Sequence, residues 1–320
     1  MSVRRRIVFL GSGAFGLPTL EAIAREHELV GVVTQPDRPA GRGGRTAPTP
    51  IGAWAASNAP GVPLLKPERI NRGEDRERVR GFGCDAWVVI AFGQKLGAAL
   101  LEDRFAVNLH ASLLPRWRGA APINAAVIAG DRETGNSVIT LAERMDAGEV
   151  LGRSRRPIEP HQTAGELHDL LAGDGPALVM DVLTKQAAGE LVYDAQDEAL
   201  VTLAGKLGRE DAWVDLARPA VECRDRVHGL MPWPGVSVRV GEHTLKLGRV
   251  EAVEGDAEQE PGRVADPRGG LVATGRGMLR FLEVQPAGKK MMVWSAFVNG
   301  REVAAGAPVE PLVAVPGGLS

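Results

Sequence analysis

Apolar residues in the first half of the chain fall in short continuous runs separated by stretches of helical spacing. Ile7–Leu10 is the first run. Gly11-Ser12-Gly13-Ala14-Phe15-Gly16 follows, then a helical pattern over Leu17–Arg25 and a second apolar run over Leu29–Thr34. This strand–turn–helix–strand order predicts a βαβ unit, with strands buried on both faces of a parallel sheet. The alternation continues with a helix over Ile51–Ser57, a short strand within Ala59–Lys66 and a solvated charged helix over Arg69–Arg80. A buried strand over Cys84–Ala91 and a helix over Gln94–Leu101 come next. Phe105, Val107 and Leu109 then alternate with Ala106, Asn108 and His110, the period of two that marks a strand with two unlike faces. A helix over Ala120–Ala129, strands over Ser137–Leu141 and from about Arg153, and a helix over Ala164–Gly189 complete the set. The expected fold of residues 1–190 is a doubly wound α/β domain with a mainly parallel sheet and right-handed crossovers.

The pattern then changes. Residues 191–209 read as a linker, polar and aperiodic, with Gly205 and Gly208. Over 210–320 the segments are short and alternating: Val236/Val238/Val240, Leu245/Leu247, Leu271–Thr274 and Leu279–Val284, divided by glycine turns. That is the signature of a small antiparallel β-barrel of OB-like type. A short helix over Trp294–Asn299 ends at Gly300.

One loop stands apart. Thr34–Pro50 holds Pro36, Pro39, Gly41, Gly43, Gly44, Pro48 and Pro50, which are expected to forbid regular structure, and sets Arg38, Arg42 and Arg45 against the single acid Asp37. It reads either as a solvated, mobile loop or as an arm that seeks phosphate, with which arginine forks pair well.

Composition narrows the class. A net charge of −2 over 320 residues gives no global basic field, so any nucleic-acid partner must be held by local patches. Cys84 and Cys223 form no CxxC pair and the six histidines show no close ligand spacing, so no disulfide framework and no metal is expected. The apolar run after Arg4-Arg5-Arg6 is too short for a signal sequence, and no stretch approaches the ~18 apolar residues of a membrane span. A cytoplasmic protein without a membrane contact or an obligate protein partner is expected. Gly11, Gly13 and Gly16 match GxGxxG, but the acid expected about 20 residues on is replaced by Asp37 in a proline-flanked loop. Close helix–strand packing and a dinucleotide site are the two readings of that turn.

Asn108 and His110 share one strand face, and Asp146 follows the next strand, so neighbouring carboxyl ends could bring the three together. An amide donor, an imidazole and a carboxylate, with Ser112 in no nucleophile elbow, fit direct acyl transfer to an amine. Asn108 would donate to the developing oxyanion, His110 would move the proton, and Asp146 would orient the imidazole and favour its charge. Each also has a plainer reading, as a turn residue, a satisfied core histidine and a cap.

Asn108-Leu109-His110-Ala111-Ser112-Leu113-Leu114-Pro115, running on through Arg116-Trp117-Arg118-Gly119-Ala120-Ala121-Pro122-Ile123, resembles the first signature of the folate-dependent formyltransferases. Met145-Asp146-Ala147-Gly148 resembles the second, with Met145 and Ala147 where Leu and Thr are common. The resemblance implies catalytic roles for Asn108, His110 and Asp146, 10-formyltetrahydrofolate as formyl donor without a metal, and a folate site that includes Ser112, Leu113, Leu114 and Pro115. Thr34–Gly43 is similar to the insertion loop of the members that formylate methionyl-tRNA. Leu203–Arg209, Pro232–Gly235 and Gln285–Lys290 resemble their linker and barrel. The implied acceptor is initiator methionyl-tRNA, touched by Arg38, Arg42, Arg45, Lys206, Arg209, Lys289 and Lys290. A small sugar amine as acceptor and a nicotinamide-binding protein built on Gly11/Gly13/Gly16 are the alternatives.

Overall fold

In the computed structural model, which describes residues 4–40, 45–255 and 257–316, the strand over Arg6–Gly11 is buried at every position after the first. It belongs to a seven-stranded sheet of β1 (Arg6–Gly11), β2 (Glu28–Val33), β3 (Leu64–Leu65), β4 (Ala86–Ile90), β5 (Ala106–His110), β6 (Glu133–Thr140) and β7 (Val150–Pro157). The order is β7-β6-β5-β4-β1-β2-β3. β1 pairs in parallel with β2 and with β4, β2 with β3, and β4 with β5, so the strand order reverses beside β1 as in doubly wound sheets.

Gly11 and Gly16 are accounted for by packing. A Cβ on Gly11 would stand 2.6 Å from Cε1 of Phe9 and 2.8 Å from the carbonyl oxygen of Ile90, and one on Gly16 3.0 Å from Cζ of Phe9. The helix Ala164–Ala188 approaches the sheet in the same way at Gly175, where a Cβ would come 2.7 Å from Cδ2 of Leu109.

Four expectations are corrected. β6 runs antiparallel to β5, with Asn108 opposite Ile139 and His110 opposite Ser137. The arginine loop is not devoid of strand: Arg38–Ala40 and Arg45–Ala47 pair antiparallel, Arg38 against Ala47. A two-stranded ribbon has two free edges, so Pro39, which cannot donate, is tolerated there. Residues 41–44, including Arg42, lie outside the described residues. The charged helix begins at Gly73 rather than Arg69, and of Gln94–Leu101 only Ala98–Leu101 is helical. Side chains hold both segments in turns: the Gln94 amide accepts from the Ile70 N–H at 3.1 Å and donates to the Pro67 carbonyl at 2.9 Å, and Asn71 accepts from the Gly97 N–H at 2.7 Å.

The second sheet comprises β8 (Ser237–Val240), β9 (His243–Val253), β10 (Val264–Asp266), β11 (Leu271–Ala273), β12 (Met278–Pro286), β13 (Met292–Val293) and β14 (Val309–Pro311). It is antiparallel in the order β10-β11-β12-β9-β8-β14, with β13 on β12. The bridge between Arg263 and Pro308 joins the two edges, so the sheet curls back on itself. Its interior holds Val238, Leu245, Leu247 and an aromatic group in which Trp294 lies 5.6 Å from Phe281 and 5.2 Å from Phe297, centroid to centroid.

Two units interleave along the chain. Met1–Arg118, Gly135–Arg156 and His168–Leu203 form the first; Gly119–Thr134, Pro157–Leu167 and Ala204–Ser320 form the second. No helix among the described residues is long and apolar enough to cross a membrane.

Candidate active site

Strand geometry places Asn108 and His110 on one face of β5, with Asn108 half-buried and His110 buried. Nε2 of His110 lies 2.8 Å from the carbonyl oxygen of Trp117. A carbonyl only accepts, so Nε2 carries a proton in this arrangement, and Nδ1 is left as the nitrogen that can take one up. Nδ1 faces Oδ2 of Asp146 at 3.6 Å, with the two side chains 6% and 14% exposed. The trio of the sequence reading is therefore assembled as far as its imidazole and carboxylate.

The route differs from the one expected. Because β6 is antiparallel to β5, its last residue, Thr140, sits beside Val107 rather than at the His110 end. Asp146 is delivered by the connection from β6 to β7, not by a neighbouring parallel carboxyl end. That connection is closed at its base by Thr140, whose N–H donates to the Glu149 carbonyl and whose Oγ1 accepts from the Glu149 N–H, both at 2.9 Å. Asp146 itself has φ +53°, a left-handed conformation uncommon outside glycine. Gly148 is required by contact: a Cβ there would lie 1.8 Å from the Thr140 carbonyl oxygen. The second signature thus ends in glycine because the loop folds directly against β6.

Contacts that sequence reasoning did not single out surround this loop. Nε2 of Gln196 donates to the carbonyl oxygens of Asp146 at 2.8 Å and Gly148 at 2.7 Å. Oε1 of Gln196 accepts from Nε of Arg118 at 2.9 Å, and Arg118 is only 5% exposed. Glu198 accepts from Arg118 and from Arg144, each at 2.9 Å; the Arg118 hydrogen bond first, then the nearby positive charge, holds its carboxyl below the usual range. A polar 191–209 stretch gives no local signal of such contacts, since the partners lie about 50 and 80 residues away in sequence.

The Ser112–Pro115 segment is a tight turn. The Ser112 hydroxyl, fully buried, donates to the Arg116 carbonyl at 2.6 Å. Ser137 clamps the segment, donating to the Ser112 carbonyl at 2.7 Å and accepting from the Leu114 N–H at 3.1 Å. Leu113 and Pro115 remain partly exposed.

The cationic residues are placed separately. Arg38 is exposed on the hairpin of the first unit, whereas Arg42 and the side chain of Arg45 lie outside the described residues. Asp37, the loop's acid, pairs with Lys66 at 2.6 Å. Lys206, Arg209, Lys289 and Lys290 are exposed on the second unit. Lys289 and Lys290 sit on the turn between β12 and β13, where Gln285 donates to the Lys289 carbonyl at 2.8 Å.

The fold is a mainly parallel α/β sheet followed by a curled antiparallel sheet. The sequence matches the formyl transferase family over residues 5–183 and the formyl transferase C-terminal domain over residues 206–302, and the chain belongs to that family. A methionyl-tRNA formyltransferase of Methylococcus capsulatus is 41% identical over 303 residues, covering 93% of this chain and 98% of that protein. The N-formyltransferase of Helicobacter canadensis, solved with folinic acid and dTDP-3-aminofucose, superposes with a TM-score of 0.67 at 12% identity, covering 89% of this chain and all of that one. HypX of Aquifex aeolicus, solved with tetrahydrofolic acid, gives 0.62 at 16% identity; this chain spans 93% of its own length but about half of HypX, 47%.

Proposed function

We infer that the chain transfers a formyl group from 10-formyltetrahydrofolate to the amino group of the methionyl moiety of initiator methionyl-tRNA. One observation carries the choice of acceptor: the near full-length similarity to the Methylococcus methionyl-tRNA formyltransferase, which spans both units. The two solved neighbours share the fold at low identity and carry folates, as the formyl donor requires. The donor set fits such a ligand, because the half-buried Asn108 carboxamide enters none of the side-chain hydrogen bonds among the described residues and so has its N–H groups to offer.

In this reading the amine nitrogen bonds to the formyl carbon while the bond from that carbon to the donor nitrogen breaks. The amine loses one proton and the leaving nitrogen gains one. Asn108 donates to the oxygen that becomes negative as the carbon turns tetrahedral. His110, with Nε2–H held by Trp117 and Nδ1 facing Asp146, moves the proton. Asp146, 3.6 Å from Nδ1, stabilises the positive ring that forms in between. Ser112 and Leu114 shape the folate-binding turn, and its ligand contacts come from the partly exposed Leu113 and Pro115. Arg38, Arg42, Arg45, Lys206, Arg209, Lys289 and Lys290 meet tRNA phosphates.

The test is formylation by the purified chain with 10-formyltetrahydrofolate and three acceptors: initiator methionyl-tRNA, elongator methionyl-tRNA and a dTDP-linked amino sugar. Preferential formylation of the initiator supports the reading. Formylation of the amino sugar alone overturns the acceptor and leaves the chemistry standing.

A further inference from the structure

We propose that Gln196 is a positioning residue for formyl transfer, fixing the backbone from which Asp146 presents its carboxylate to His110. The proposal rests on the reading of Asp146 and His110 as the proton-handling pair.

Gln196 lies in the stretch whose sequence reads as a linker, yet its side chain ends inside the catalytic loop. Its two Nε2 hydrogens match two acceptors, the carbonyls of Asp146 and Gly148 at 2.8 and 2.7 Å, and its Oε1 matches the Nε–H of buried Arg118 at 2.9 Å. Only a carboxamide of this length supplies both donors at one end and an acceptor at the same carbon. A glutamate would keep the Arg118 contact and turn an oxygen on two carbonyl oxygens. The loop also needs such a clamp. Asp146 at φ +53° is held in a backbone state that persists only where its surroundings over-determine it.

The same segment reaches the other group that faces the imidazole. Thr202 accepts from the Trp117 N–H through Oγ1 at 2.9 Å and from the Arg118 N–H through its carbonyl at 2.9 Å. Trp117, also left-handed at φ +62°, presents the carbonyl that holds Nε2 of His110. Residues 196–202 therefore secure both groups that face the ring, Asp146 on Nδ1 and Trp117 on Nε2. Neither Gln196 nor Thr202 is hydrogen-bonded to the imidazole itself among the described residues.

The experiment compares Gln196→Met, Gln196→Glu and Asp146→Asn with the full wild-type chain, using 10-formyltetrahydrofolate and methionyl-tRNA. It records kcat, both KM values and Tm. The proposal expects kcat to fall roughly 10–100-fold in both Gln196 variants, the size of effect that misplacing a reacting group by about 1 Å produces. The KM values should move far less than kcat. Wild-type kcat in Gln196→Glu, which keeps the Arg118 contact and loses only the donors, overturns the proposal. Wild-type kcat in Asp146→Asn removes the reading beneath it as well. If the Gln196 variants do not fold, the decision passes to Thr202: Thr202→Val should lower kcat and Thr202→Ser restore it, and equal rates in the two would contradict the clamp.

Discussion

Nδ1 of His110 lies 3.6 Å from Oδ2 of Asp146, although the strand that leads to Asp146 runs antiparallel to the strand that carries His110. The carboxylate arrives on a loop that doubles back, and that loop's shape depends on Gly148, on the left-handed Asp146 and on the Gln196 clamp. The pair is therefore built from tertiary contacts at its far side as much as from the strand on its near side.

The amide of Asn108 is expected to act on the transition state more than on binding. Asn108→Ala should lower kcat about 10²–10³-fold, the range found for loss of one oxyanion donor, with KM nearly constant. Steady-state kinetics with each substrate varied in turn check this. A rise in KM at constant kcat would reassign Asn108 to ground-state binding.

Gly148→Ala tests the loop packing independently of charge. Its Cβ would overlap the Thr140 carbonyl oxygen at 1.8 Å, so the backbone must shift rather than a side chain. Overpacking of this kind typically destabilises by about 1–3 kcal/mol. A lowered Tm is expected together with a lower kcat, because Asp146 is two residues away. A variant with unchanged Tm and unchanged kcat would show that the loop has room the geometry denies it.

The second unit should lose stability in acid in two steps of the same sign. His228 donates through Nδ1 to the Pro160 carbonyl at 3.2 Å and accepts through Nε2 from the Val250 N–H at 3.1 Å, a neutral ring. Burial pushes its pKa down to about 4, against the upward pull of the Pro160 carbonyl. The unfolded chain takes up that proton near 6.5, so stability is complete above 6.5 and falls as the pH drops towards about 4, by roughly 3 kcal/mol at most. Burial alone would raise Glu166, but hydrogen bonds from Arg249 and Thr163 outweigh it and hold it at about 2, extending the loss from 4.5 downward. Tm measured from pH 7 to pH 4 should decline, and His228→Gln should flatten that slope while lowering Tm at pH 7. An unaltered slope in the variant would place the acid sensitivity elsewhere.

For the proposed acceptor, the exposed turn cations should act through phosphate. Removing Lys289 and Lys290 together should weaken kcat/KM for methionyl-tRNA and reduce the steepness of its dependence on log salt by about 1–2, leaving kcat intact. The same comparison for Arg38→Ala tests the hairpin. Equal salt slopes in variant and wild type would remove those residues from the tRNA surface.

Much of this was legible in the chain, for identifiable reasons. β1 and β4 are continuous apolar runs because both faces are covered, and Asn108 and His110 share a face because a strand has period two. The direction of β6 was not legible, since an eight-residue strand carries no mark of its orientation. The hairpin at Arg38–Ala47 was hidden by prolines that a two-stranded ribbon tolerates. Gln196 was invisible for another reason: a single carboxamide reaching Asp146 across 50 residues leaves no periodicity or local motif. Gly148 could be read as part of a signature but not as a contact, because the Thr140 carbonyl that excludes a Cβ is brought there only by the fold.

The most direct measurement is single-turnover transfer of formyl from 10-formyltetrahydrofolate to initiator methionyl-tRNA by the wild type, His110→Ala and Asp146→Asn, with Tm recorded for each. The geometry predicts folded variants whose transfer step is slowed at least about 100-fold, the scale of a positioned general acid–base. Transfer at the wild-type rate in a folded His110→Ala would contradict it.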